Sequence, residues 1–296
     1  MKYLLRYFFI VLLFITVQVT AQRAKVFGAL GGSSYYGDLI QGTPLLKQVS
    51  GAFSLGASYD ISDQLRARLT ISGLGVKADD KDNANIIYKE RNLNFKSFIF
   101  DINLAAEYDF LNNVDQYSFT PYVFAGPGLF FFNPTTTDRF GNKQKLRELG
   151  TEGQGLASFP DRKPYSLTQF NIGFGGGIRF DLSDELQIGT EIFIRKTFTD
   201  YIDDVSQNSY VNPATFIAEG NALSKFLSYR GDEAPISKGF RGENMPRGNS
   251  GEKDLFYSFQ IKIIYKLLNL DFGGNYTNYY GGVVGRSKMR TPRSVL

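Results

Sequence analysis

The sequence predicts an all-β fold, an eight-stranded antiparallel transmembrane β-barrel with long extracellular loops and a periplasmic C-terminal tail. Three observations carry this expectation. Segments of about ten residues with an apolar side chain at every second position recur between Ala24 and Leu267. Phe98-Ile99-Phe100-Asp101-Ile102-Asn103-Leu104-Ala105-Ala106-Glu107-Tyr108 is the clearest of them. Short turns alternate with long polar loops, so one end of the barrel is trimmed and the other decorated. The chain also opens on an export signal: Lys2 and Arg6, an uncharged apolar run over residues 7–17, then Val19-Thr20-Ala21 before Gln22. That run is shorter than the ~20 apolar residues a spanning helix needs. Residues 1–21 are therefore expected to be a signal peptide cleaved near Ala21/Gln22, with the barrel over 22–267 and the tail over 268–296.

The elements follow in order. The first strand, over residues 24–36, carries Gly28, Gly31 and Gly32, which blur its faces. The second, 51–59, carries Phe53, Leu55, Ala57 and Tyr59 on one face. A tight turn, 60–64, leads to the third, 65–75, with Leu65, Ala67, Leu69 and Ile71 outward against Arg66, Arg68, Thr70 and Ser72. Residues 77–96, with a charged cluster at 77–82, read as a polar loop. After the fourth strand comes a turn formed by Asn112-Asn113. The fifth strand, 117–132, contains Gly126-Pro127-Gly128, which predicts a bulge or bend. Residues 133–165 read as a long loop. The sixth strand, 169–180, sets Phe170, Ile172, Phe174, Ile178 and Phe180 against Gln169, Asn171 and Arg179. A tight turn, 182–185, leads to the seventh, 186–198, with Glu191 and Arg195 inward. The longest loop, 199–253, holds helical spacing over 213–229 (Phe216, Ala222, Leu223, Phe226, Leu227). The last strand, 255–267, alternates Tyr257, Phe259, Ile261, Ile263 and Tyr265 against Ser258, Gln260 and Lys262. The even count puts both ends on one side, the periplasm for an exported chain.

Composition narrows the function classes. Removing Lys2 and Arg6 lowers the formal net charge from +4 to +2, and no nucleic-acid partner is expected of so neutral a chain. With no Cys there is neither a lipid-anchored N-terminus nor a disulfide scaffold. The 27 Phe and 18 Tyr suit aromatic girdles at two membrane interfaces. The competing fold is a soluble lipocalin-like barrel, apolar inside. Here the polar parity carries Arg66, Arg68, Asp101, Glu107, Arg179, Glu191, Arg195 and Lys262, and burying these in a ligand cup without pairing is expensive. Mutual pairing in a narrow lumen, with the apolar face toward outer-membrane lipid, is cheaper. Eight strands leave little interior space, so a plugged lumen is expected.

No His and no Cys means no Ser-His or Cys-His nucleophile and no His-based zinc site. Carboxylates remain. Asp200, Asp203 and Asp204 cluster beside Tyr201, and calcium favours such oxygens. The spacing matches no EF-hand, and an acidic segment packed over the barrel mouth is the favoured reading. Glu107 and Glu191 as a glycosidase pair give way to lumen ion pairs, since arginines share their parity. The alternation of Gly173 to Gly177 with Phe and Ile marks a strand and not a phosphate loop. No catalytic residue, cofactor or metal is expected. The tail carries Tyr276, Tyr279, Tyr280, Arg286, Lys288, Arg290 and Arg293, which read either as a docking segment for an acidic partner or as a disordered terminus.

Tyr35-Tyr36-Gly37-Asp38-Leu39, Leu149-Gly150-Thr151-Glu152-Gly153-Gln154-Gly155 and Thr199-Asp200-Tyr201-Ile202-Asp203-Asp204-Val205-Ser206, in this order, resemble the PorG-like outer-membrane barrels of Bacteroidetes. The third segment, at the exit of the seventh strand, is the most specific. The resemblance implies a non-enzymatic component of the type IX secretion system that meets periplasmic ring proteins of the PorK and PorN type. No binding residue carries over. A continuation to Leu296 past the last strand departs from barrels that end on an aromatic residue of that strand. The alternatives are a surface barrel of the OmpA or OmpX type for adhesion or envelope integrity, a small pore, and an enzyme of carboxylate type.

Overall fold

Alternating side chains need a sheet with two unlike faces, and a closed sheet supplies them without leaving an edge. The computed structural model describes residues 24–40, 46–83, 85–111, 119–236, 239–240 and 242–267. The signal segment, Asn112-Asn113 and the tail from 268 lie outside the described residues. The barrel strands are β1 (Ala24–Tyr36), β2 (Ser50–Asp60), β3 (Leu65–Asp79), β4 (Asn94–Asp109), β5 (Phe119–Phe131), β6 (Thr168–Asp181), β7 (Leu186–Thr197) and β8 (Leu255–Lys266). Each pairs antiparallel with its neighbours in sequence. β8 closes the ring on β1 from Lys25↔Lys266 to Tyr36↔Leu255. The Leu267 N–H donates to the Ala24 carbonyl at 2.9 Å, so both ends of the barrel meet at the end that carries the short turns.

The two faces follow the alternation. Leu55, Leu104, Ile192 and Ile263 stand exposed on the outer wall, while Arg68, Asp101, Arg179 and Lys262 are buried inside. The faces of β1, blurred by glycine in sequence, are now clear: Lys25, Phe27, Ala29, Ser33 and Tyr35 point in, and Val26 and Leu30 point out.

Four expectations need correction. Residues 77–79 and 94–96 are strand, not loop, since the β3–β4 ladder continues from Gly75↔Phe98 to Asp79↔Asn94. The alternation persists there with its polarity inverted: Val76, Ala78 and Phe95 are buried inside, while Lys77 and Lys96 face out. Charge marked these residues as loop because the sheet has risen beyond its apolar belt.

Pro127 makes no bulge. The β4–β5 register is the same on either side, Asn103↔Gly128 and Ala106↔Ala125, with the intervening pairs missing. The ladder to β6 runs unbroken through Pro127↔Ile172. Gly126 permits this, because a Cβ there would lie 2.0 Å from the Leu104 carbonyl oxygen.

The helical spacing of 213–229 is two short helices, Pro213–Ala218 and Ala222–Ser228, separated at Gly220, whose φ is +80°. Phe216 and Leu227 are buried, but Ala222 and Phe226 are exposed. The expected loop 133–165 contains a hairpin, Thr135–Thr137 with Lys143–Lys145, and a helical turn, Leu146–Leu149.

The main apolar core sits in the upper barrel and beneath the long loops. Leu74, Ile99, Phe130 and Phe256 form a layer across the lumen, and Tyr35, Phe95, Ile202 and Val205 continue it upward. No described helix is long and apolar enough to cross a membrane.

Leu104, 58 % exposed, lies near the middle of the outer belt. Leu104→Arg is expected to lower the stability of the barrel in lipid vesicles by about 2–4 kcal/mol, the cost of a cation at mid-bilayer on a barrel wall. Urea unfolding of vesicle-inserted protein measures it.

Candidate functional site

The lumen brings all eight sequence-expected charges inside the barrel. Arg68 grips Glu191 with two parallel bonds of 2.7 and 2.8 Å and reaches Glu107 at 3.2 Å. Lys262 joins Glu191 at 3.1 Å. Glu107 also accepts from Arg66 at 3.0 Å and from Arg179 at 2.7 Å. Nearer the apolar layer, Arg195 pairs with Asp101 at 3.2 Å and donates to the hydroxyls of Ser258 and Ser72. Asn171 donates to the other Asp101 oxygen at 2.8 Å.

The network is larger than the sequence indicated. Asp60 pairs with Lys25 and Arg66, Asp109 with Arg66 and Arg179, and the Tyr122 hydroxyl donates to Glu191 at 2.8 Å. Lys25 was hidden by the ambiguous faces of β1, and the two aspartates sit at strand ends that read as turn. Aromatic rings fill the remaining space: the Arg68 guanidinium lies 4.0 Å from the Phe124 ring centre, and Arg195 lies 3.5 Å from that of Phe193. The parity that Phe193 shares with Glu191 and Arg195 was the available signal.

The cap over the end opposite the short turns is the second feature. The three segments quoted above lie far apart in sequence but meet here. The Tyr35 hydroxyl donates to Asp203 at 2.9 Å and accepts from the Leu39 N–H at 3.0 Å. Asp204 accepts from Thr151 and, at 2.7 Å, from the Tyr165 hydroxyl. One Glu152 oxygen accepts the N–H groups of Ser206 and Gln207, each at 2.9 Å, and pairs with Arg247. Tyr165 stacks on Tyr201 with ring centres 4.5 Å apart. Asp204 holds φ at +67°, and Gly150 at +60° sits where a Cβ would strike the Gln154 carbonyl. These tight backbones turn Thr151 and Glu152 toward the 199–206 segment.

Residues from further loops complete the cluster. Asp80 accepts two bonds of 2.7 Å from Arg91, which donates in turn to the carbonyls of Asp38 and Arg247. Asp254 accepts the Ile202 N–H at 2.8 Å, and its own N–H donates to the Thr199 carbonyl. Arg91, Arg247 and Asp254 escaped sequence reasoning because irregular loops carry no periodicity. Asp200, Asp203 and Asp204 point to different neighbours, and among the described residues no three acidic side chains gather as metal ligands.

Burial sets the protonation of this cap. It pushes the Asp204 carboxyl up to about 7 against the opposing pull of Thr151 and Arg247. It pushes Asp200 up to about 7 as well, with Asp38 adding to the rise. Asp203 and Asp254 are driven well above the carboxylate range, first by burial and then by nearby carboxylates. The tail residues Tyr276, Tyr279, Tyr280, Arg286, Lys288, Arg290 and Arg293 lie outside the described residues.

The family described as Domain of unknown function (DUF6089) matches residues 3–221. No curated protein matches the sequence. Among solved structures, the chain is similar to Neisserial surface protein A (NspA) at 12% identity and a TM-score of 0.38, over 82% of this chain and 96% of that one. It is similar to the outer membrane protein OprG from Pseudomonas aeruginosa at 8% identity and a TM-score of 0.38, over 82% and 96%. Ail, the attachment invasion locus protein of Yersinia pestis, shares 6% identity and a TM-score of 0.37, over 82% and 97%.

Two outcomes are expected. Glu191→Ala leaves Arg68 and Lys262 buried without their main partner and is expected to cost about 3–5 kcal/mol, seen as earlier thermal unfolding. Glu148→Ala, which removes an exposed pair with Lys145, is expected to cost about 0–1 kcal/mol. The cap is expected to loosen with rising pH. Asp204 titrates at about 7 when buried and near its ordinary 3.8 when opened, so its stabilising share is full below that lower value. That share is lost as pH rises to about 7. Hydrogen exchange at residues 202–207, corrected for intrinsic rates, is expected to be slower at low pH than at high pH, with Asp204→Asn reducing the difference while the raised Asp200, Asp203 and Asp254 keep part of it.

Proposed function

The chain belongs to the family described as domain of unknown function DUF6089, and we propose that it is a non-enzymatic outer-membrane barrel serving as a structural component of a type IX protein secretion machine. What supports the outer-membrane placement is the division of the wall. An apolar belt with residues such as Leu30, Leu55, Phe98, Leu104, Phe170, Ile192 and Ile261 faces out, while the charges of the same strands are paired inside. The signal-like N-terminus agrees with export.

The observation that carries the secretion role is the convergence of the three PorG-like segments. Tyr35, Thr151, Glu152, Asp203 and Asp204 form one bonded cluster, so the resemblance falls on a single structural feature. In this reading the barrel is a closed anchor. Its cap is an outer platform, and its tail, the segment after Leu267, contacts a periplasmic ring of the PorK and PorN type. The absence of His and Cys, and the mutual saturation of the lumen carboxylates, support a role without catalysis.

Deletion of residues 268–296 tests this. The truncated barrel is expected to remain in the outer membrane with unchanged heat-modifiable mobility, while ring proteins no longer co-purify and secretion falls. Unchanged co-purification and secretion would overturn the tail's role. Normal secretion in a strain lacking the whole protein, together with loss of surface attachment, would favour the OmpA/OmpX-type reading.

A further inference from the structure

Above the apolar belt, the outer wall carries a groove of about 630 Å³ between the tips of β3 and β4 and the Thr135–Thr137/Lys143–Lys145 hairpin. Its lining includes Lys77, Lys96, Lys143 and Lys145 but no carboxylate. Strand pairing sets these lysines side by side. Lys77 pairs with Lys96, Lys96 with Thr135, and Thr135 with Lys145. At a spacing of about 4.8 Å per strand, the row from Lys77 to Lys145 is roughly 14 Å wide.

Two like charges directly opposite on neighbouring strands repel. Among the described residues Lys77, Lys96 and Lys143 make no ion pair, and Asp79, on the same face of β3, is the nearest carboxylate along that strand. Lys145 does pair with Glu148 at 2.8 Å, but both ends of that pair are more than half exposed, so it leaves the lysine available. Asp79 accepts the Lys81 N–H. Immediately below the row, on the same face of β4, Phe98 is 59 % exposed and Phe100 follows it. The groove thus joins a cationic rim to the top of the apolar wall, at the height where a lipid changes from headgroup to acyl chain.

We propose that this groove binds a phosphate-bearing lipid of the surrounding outer leaflet, its phosphates held by Lys77, Lys96, Lys143 and Lys145 and its acyl chains lying over Phe98. The proposal rests on the outer-membrane placement above but not on the secretion role. A free anion would use the lysines without needing the apolar wall beneath them. A lipid uses both, and its phosphate removes the repulsion between Lys77 and Lys96.

The test uses the full-length barrel in mild detergent, with diphosphoryl lipid A as probe and native mass spectrometry as readout. The intact barrel is expected to retain lipid A at least about tenfold more tightly than the K77Q/K96Q/K143Q/K145Q variant. It is also expected to retain the same lipid stripped of its phosphates at least about tenfold more weakly. Excess inorganic phosphate is expected not to displace the lipid. Equal retention by the variant, equal retention of the dephosphorylated lipid, or displacement by inorganic phosphate would each overturn the proposal. The dephosphorylated-lipid arm needs only the unmodified protein, so it decides the matter even if the variant misfolds. Heat-modifiable mobility of the unmodified barrel is read in parallel, and its absence would sink the membrane-barrel reading separately.

Discussion

A barrel wall is one sheet thick, and everything else in this protein depends on how charge is handled on its inner side. In the outer-membrane placement proposed above, hydrocarbon lies outside, so a charged side chain on the strands has only the lumen, and there it must find a partner or unfold the wall. Arg68 and Glu191 are the centre of the solution. Their two-point contact spans the lumen from β3 to β7, and Lys262, Glu107, Tyr122, Arg66 and Arg179 bond outward from it. Arginine suits this place better than lysine because its planar fork meets a carboxylate at two points while the guanidinium lies 4.0 Å from the Phe124 ring centre. The same contacts that neutralise the charges fill the channel, so closure and stability have one cause.

The strands then change their surroundings without changing their period. On β3, Arg68 and Thr70 point in while Leu69 and Ile71 point out. A few residues further on, Leu74 and Val76 point in while Lys77 points out. Between these zones the sheet leaves the apolar belt. Above it the interior is an ordinary apolar core shared with the loops, and Tyr35, Ile202 and Val205 stand on that core. The long loops are held in place because a water-facing cap needs its own buried side, and the extended tips of the barrel provide it.

Much of this was legible in the sequence. The strand count, the closed order, the outward apolar residues and the eight lumen charges all follow from a period of two, because each step along a strand reverses the face. The charged stretch after Gly75 was misread since the alternation was judged by one polarity, inside polar and outside apolar, and above the belt that polarity reverses. Pro127 was expected to bring a bulge or bend, yet the close approach that Gly126 allows keeps the register. The cap was legible only as separate fragments. Glu152 and Ser206 meet through a side chain and a backbone amide, and Arg247 joins them from another loop. Such contacts leave no periodic trace in a single sequence.

In this reading the lumen is closed by its own charges and by the apolar layer of Leu74, Ile99, Phe130 and Phe256, which leaves the cap, the rim and the tail as the surfaces open to a partner. Single-channel recording of the intact barrel in a planar lipid bilayer tests this most directly. A flat baseline under applied voltage is expected once insertion has been verified independently. Reproducible conductance steps with defined ion selectivity would contradict it, because they would require a continuous water path through the Arg68–Glu191 contact and the apolar layer above it.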